Sequence, residues 1–62
     1  MKRTKIEAEE TSKNILKCAV SLFIENGYDD TSIDSIAEKA GVTKGAIYWH
    51  YKDKSSILDA II

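Results

Sequence analysis

The residues best equipped for chemistry stand together between Thr43 and His50, where a hydroxyl, a primary ammonium, a glycine and three rings follow one another: Thr43, Lys44, Gly45, Tyr48, Trp49 and His50. Such a set suits recognition of a polyanion better than bond making. A lysine and a threonine hydroxyl donate to phosphate, and the free N–H groups at a helix start attract the same oxygens. A lysine also reaches guanine O6 or N7, and a threonine methyl can touch a thymine methyl. A glycine among them lets a helix backbone approach a surface closely. Catalysis has less to work with. The single cysteine, Cys18, and the single histidine, His50, fall on different segments, and the chain is too short to enclose a pocket.

These side chains need a rigid support, and the pattern on either side supplies one. Ile15, Leu16, Ala19, Val20, Leu22 and Phe23 recur at spacings of three and four, the mark of one buried helical face, from about Thr11 until Asn26 and Gly27 stop it. Thr31 or Ser32 offers the hydroxyl that caps a second helix, with Asp34 in its first turn and Ile33, Ile36, Ala37 and Ala40 turned inward. Gly41 ends that helix after about two turns, Val42 plugs the turn, and Thr43 caps a third helix. Ile47 and Tyr51 lie four apart and claim its inner face, so Tyr48, Trp49 and His50 are not all able to point inward. Trp49 plugging the core is the alternative. Asp53 caps again, and Ile57, Leu58, Ile61 and Ile62 give a fourth helix its apolar positions. The expected fold is therefore all-α: a homeodomain-like, three-helix domain with a helix-turn-helix at residues 32–51, plus the start of a fourth helix.

A chain of 62 residues is one domain at most, and its composition, 44% hydrophobic and 31% charged with no proline, is that of a helical globular protein. One cysteine and one histidine give neither an internal disulfide nor a closed zinc site, and no cofactor is implied. Cys18 reads as a small, partly buried helix residue. The net charge of −1 argues against coating nucleic acid by bulk charge. Distribution matters more: Glu25, Asp29, Asp30, Asp34 and Glu38 form an acidic middle, whereas Lys39, Lys44, Lys52 and Lys54 make a basic edge suited to phosphates. Lys2, Arg3 and Lys5 open the chain. Residues 1–10 lack periodicity and are expected to be a flexible tail, residues 11–52 the three-helix head. The longest apolar run, Ala19 to Ile24 interrupted by Ser21, is far too short to span a bilayer, so a cytoplasmic protein with no membrane partner is expected. Residues 53–62 end on two isoleucines without a polar cap, and a continuing chain is expected to cover them.

The run Ile36 to Lys54, IAEKAGVTKGAIYWHYKDK, resembles the tetracycline-repressor (TetR/AcrR) family of bacterial transcriptional regulators, and the likeness extends back through ILKCAVSLFIENGYDDTSI and forward into SSILDAII. Within the family it is most similar to repressors of multidrug-efflux genes. The resemblance implies a ligand-released repressor that binds a double-stranded DNA operator, with the helix around Thr43 to Tyr51 in the major groove. It further implies a homodimer formed by a larger second domain, absent from this sequence, which also takes the small-molecule inducer. By position it places DNA contacts on Thr43, Lys44, Gly45, Tyr48, Trp49 and His50, a second-helix phosphate contact on Thr31 or Ser32, and a phosphate-binding lysine at Lys54. Phenylalanine is usual in the family where Tyr51 stands, and the tyrosine hydroxyl needs a partner if its ring is buried. A helical protein-interaction module is the rival reading, since exposed rings and an apolar terminal helix can equally dock on a protein.

Overall fold

A computed structural model describes the chain from residue 3 to residue 62, with side-chain surroundings given from residue 8 onward. It has four helices: α1 (Arg3–Asn26), α2 (Ile33–Ala40), α3 (Lys44–His50) and α4 (Lys54–Ile61). α1 is the backbone of the assembly. It packs against α2 and α4, and α2 in turn carries α3.

The start of α1 corrects the expectation of a flexible tail over residues 1–10, because the helix is already under way at Arg3; residues 1 and 2 lie outside the described residues. The physical reason is propensity. Between Arg3 and Glu10 the chain is rich in arginine, lysine, glutamate and alanine, all good helix formers, and no glycine or proline interrupts it before Gly27. Periodicity could not reveal this turnout of helix, since it detects only a buried stripe. At the other end Gly27 takes φ +91°, and its N–H donates to the Phe23 carbonyl at 2.8 Å.

Four helices converge on one cluster. Ile15, Ala19 and Leu22 from α1, Ile36 and Ala37 from α2, Ile47 from α3 and Ile57 from α4 are buried together. Leu16, Phe23, Ile33, Ala40, Val42, Tyr51 and Ile61 pack around them. The positions expected to face inward on α2 all do so. From α4, Ile57 is fully buried and Ile61 packs on the cluster, whereas Ile62, just past the helix, is 91% exposed. Each fully buried isoleucine contributes about 1.5–3 kcal/mol by leaving water. Four such residues are a large share of the core in so short a chain, which has little margin to lose one.

The turn between α2 and α3 follows from Gly41. Its φ of 73° is left-handed, its N–H donates to the Glu38 carbonyl at 3.2 Å, and the Val42 N–H donates to the Ala37 carbonyl at 3.0 Å. This pair of bonds closes the helix while Val42 packs against the core. The next residue, Thr43, has extended backbone and starts α3 by accepting a hydrogen bond from the Ala46 N–H. Two short helices joined in this way, with a longer helix behind them, form a helix-turn-helix.

Candidate nucleic-acid interface

Ile47 sets the orientation of α3. Its side chain is wholly buried, so residues one and two positions away along the helix are driven outward. Tyr48 is 47% exposed and Trp49 is 74% exposed, which removes Trp49 from the core. His50 is half-buried at the end of the helix, with the edge of its ring pair against Trp49 at a centroid separation of 4.9 Å. Lys44 projects from the first turn, and its Nζ lies 3.1 Å from Asp34 Oδ1 on α2. Both partners are more than half exposed, so this ion pair adds little stability and leaves the ammonium free to exchange partners.

Thr43 and Gly45 complete the leading edge. Thr43 Oγ1 accepts from the Ala46 N–H at 3.1 Å, an arrangement that leaves the hydroxyl proton free to be donated outward. Gly45 is exposed, and a Cβ built there would meet only Thr43 Oγ1, at 3.8 Å. Nothing within the chain requires a glycine at this point. An exposed helical glycine costs about 1 kcal/mol relative to alanine, so its intramolecular cost has no intramolecular return.

At the start of α2 the structure separates Thr31 from Ser32. Ser32 is the exposed cap: its Oγ accepts from the Ser35 N–H at 3.1 Å, and Ser35 Oγ accepts from the Ser32 N–H at 3.2 Å. Thr31 is only 2% exposed, and its hydroxyl is directed at the carbonyls of Gly27, 2.8 Å away, and Leu22, 3.2 Å away. Its side chain therefore ties off the end of α1 and is withdrawn from any outside phosphate. This corrects the expectation that Thr31 serves as a surface contact. The physical reason is that carbonyls at a helix end need donors, and a threonine four residues past Gly27 reaches them.

Lys54 is also placed differently from the expectation. Its Nζ donates to the Tyr28 carbonyl at 2.7 Å and to the Thr31 carbonyl at 3.0 Å, and stands 4.2 Å from the centre of the Tyr28 ring. Two of its three donors are thus taken up inside the chain. It is a strut between the first turn of α4 and the link that precedes α2, where the resemblance had a lysine devoted to phosphate. Two carbonyls of that link, the Tyr28 one also accepting from the Thr31 N–H at 3.2 Å, and the negative face of a ring are what draw the ammonium inward.

Three partners escaped the sequence pattern. Ser12 Oγ lies 2.6 Å from the Tyr51 hydroxyl, Asn14 Nδ2 donates to the Ala40 carbonyl at 3.0 Å, and Asp34 pairs with Lys44. The need for a Tyr51 partner was legible; its identity, 39 positions away, was not. Cys18 is a half-buried free thiol, as expected. Asp53 caps α4, accepting from the Ser56 N–H at 2.8 Å. Hydrogen bonds from the Ser56 backbone and from the Ser56 and Ser55 side chains hold its carboxyl below the ordinary aspartate value, with a smaller aid from the positive charge of Lys52.

The assembled surface is a short, proud helix with an ammonium, a hydroxyl and two exposed rings on its outer side, backed by a second helix whose capped start lies nearby. Comparison with known proteins gives the family. Residues 15–61 match the family described as bacterial regulatory proteins, tetR family. The HTH-type transcriptional regulator AcrR of Shigella flexneri is 52% identical over 60 residues, covering 97% of this chain and 28% of the relative. The HTH-type transcriptional repressor BepR of Brucella suis biovar 1 (strain 1330) is 48% identical over 62 residues, covering all of this chain and 30% of the relative. Among solved structures, native NalD, the secondary repressor of the MexAB-OprM multidrug efflux pump in Pseudomonas aeruginosa, superposes with a TM-score of 0.85 at 42% identity, over 87% of this chain and 27% of that one. The chain spans less than a third of the length of these relatives. With the match running through all four helices, the chain belongs to the tetR family of bacterial regulatory proteins.

Proposed function

We propose that this chain is the DNA-binding head of a transcriptional repressor that seats α3 in the major groove of an operator. One observation carries the reading: the buried Ile47 turns Tyr48 and Trp49 outward on a rigid support, and Lys44, more than half exposed in the first turn, stands beside them. Lys44, Thr43 and Ser32 bind phosphate or base edges, Gly45 admits the duplex close to the helix, and Tyr48, Trp49 and His50 form the rest of the contact. Thr31 and Lys54 act one step back, holding the link that positions α2. In the whole protein a second domain supplies dimerisation and takes a small-molecule inducer, and the repressor works in the cytoplasm on genes of the efflux class. The relatives' greater length leaves room for such a second domain, and NalD's role as a repressor of a multidrug efflux pump supports the efflux class.

The test begins with selection of bound duplexes from a random pool. Replacing Lys44 and Tyr48 together by alanine should lower affinity for the selected duplex by at least tenfold while leaving the helical content intact, as read by fluorescence anisotropy and circular dichroism. Unchanged affinity would count against the assignment of α3. The exposed Trp49 also fits a groove on a protein partner, and salt separates the two readings. Binding to phosphates weakens steeply as ionic strength rises, whereas an apolar interface changes little.

A further inference from the structure

We infer that the Ser12–Tyr51 hydroxyl pair is a clasp that fixes the angle of α3 against α1, making Tyr51 a positioning residue for operator recognition. The inference rests on the DNA-binding reading above and adds to it a residue that touches no DNA. The two oxygens are 2.6 Å apart and partly buried, so the bond is short and shielded on one side. Tyr51 is held in every other respect as well. Its N–H donates to the Ile47 carbonyl at 2.7 Å, its backbone is extended where the chain leaves α3, and its ring packs on the core. Ser12 in turn lies three residues before the fully buried Ile15, at the margin of the face by which α1 is anchored.

The clasp adds a polar tie between elements whose other meeting point is the buried cluster. α3 has only seven residues, rests mainly on α2, and meets the core through the single buried Ile47. One well-packed side chain near the middle of a short helix fixes its position better than its tilt. A second fixed point beyond His50 supplies the tilt. From Lys44 to Tyr51 the helix extends about 10 Å at 1.5 Å per residue, so a rotation of roughly 10° about the Tyr51 end displaces Lys44 by about 2 Å. Recognition sites need their groups held to about 0.5 Å. A phenylalanine ring would keep the packing and lose the tether.

The experiment uses the unaltered chain, Tyr51→Phe, Ser12→Ala and the double variant, each titrated against duplexes selected by the unaltered chain and against a random-sequence duplex, at a temperature where all four are folded. Tyr51→Phe should weaken the selected duplex by roughly threefold to tenfold, the range expected for one hydrogen bond, and leave the random duplex unchanged. Ser12→Ala should do the same, and the double variant should be no weaker than either single one, because both changes remove one interaction. A lowered melting temperature alone does not produce this selective loss. Retention of the full preference by Tyr51→Phe overturns the clasp and leaves the DNA-binding reading standing, as does additivity of the two changes. Absence of any preference in the unaltered chain overturns both.

Discussion

Gly45 sits in the first turn of α3 with a negative φ and room for a methyl, which would make only an ordinary contact with Thr43 Oγ1, and that makes it an informative single position. Alanine there should stabilise the domain by about 0.5–1 kcal/mol, since it relieves the entropy cost of a helical glycine and meets nothing closer than 3.8 Å. The same methyl should weaken DNA binding by holding the backbone away from the duplex. Opposite signs in a urea melt and an anisotropy titration are therefore expected of Gly45→Ala; a gain or loss in both would remove the role of close approach. Trp49 and Thr31 show how far single residues could be read from sequence. Four ring-bearing residues in succession required some to face outward, and Trp49 is the most exposed of them. Thr31 and Ser32 are adjacent hydroxyls with equal claim to the cap, and only the course of the chain past Gly27 sends one inward to the Leu22 and Gly27 carbonyls.

For the elements, stops and starts were legible where a special backbone or a capping side chain is needed. Gly41 was expected to end α2, and its φ of 73° places it in the left-handed region. No atom lies within 4 Å of a Cβ built on it, so the cost of substitution is conformational alone. Gly41→Ala should lower stability by about 1–2 kcal/mol, read from the denaturation midpoint, and an unaltered midpoint would contradict the strain. Asp53 gives a pH test for α4. Its folded carboxyl titrates below the ordinary value of 3.8, so the cap contributes fully above that value and is lost as acidity carries the pH down through the lower, folded one. Between neutral pH and about 5 the cap should hold. Asp53→Asn keeps an acceptor without the titration, and hydrogen exchange in α4 should then lose the part of its acid sensitivity that is specific to the native carboxylate. The start of α1 was the element least accessible to pattern, because residues 3–10 form helix by propensity without an apolar stripe.

Taken as a molecule, the chain places one exposed short helix, α3, on one support, whereas helix-turn-helix dimers read two half-sites about one helical turn apart. The isolated chain should therefore sediment as a monomer and bind a single half-site weakly, with affinity falling as salt rises. Joining two heads through a dimerisation domain makes the second contact intramolecular and raises affinity through effective concentration alone. A stable dimer of this chain in an ultracentrifuge would overturn that expectation. Lys54 bears on the same scale, since its strut connects α4 to the link before α2 and so couples the last helix to the reading head.

By itself the sequence determined the helical class, the glycine-made turn, the inward stripe of α2 and the outward set on α3, because each depends on spacing, on a cap or on a φ within a few neighbouring residues. The tertiary structure decided the remainder: that Ser12 meets Tyr51, that Asp34 holds Lys44, and that Thr31 and Lys54 serve carbonyls of the chain itself. Each of those outcomes except the bond from Thr31 to Gly27, which lies within one link, joins residues on two different elements or an element and a link. The reason is that a local pattern records which face a residue occupies, while the partner of a donor or acceptor is fixed only when helices distant in the chain pack at a definite angle.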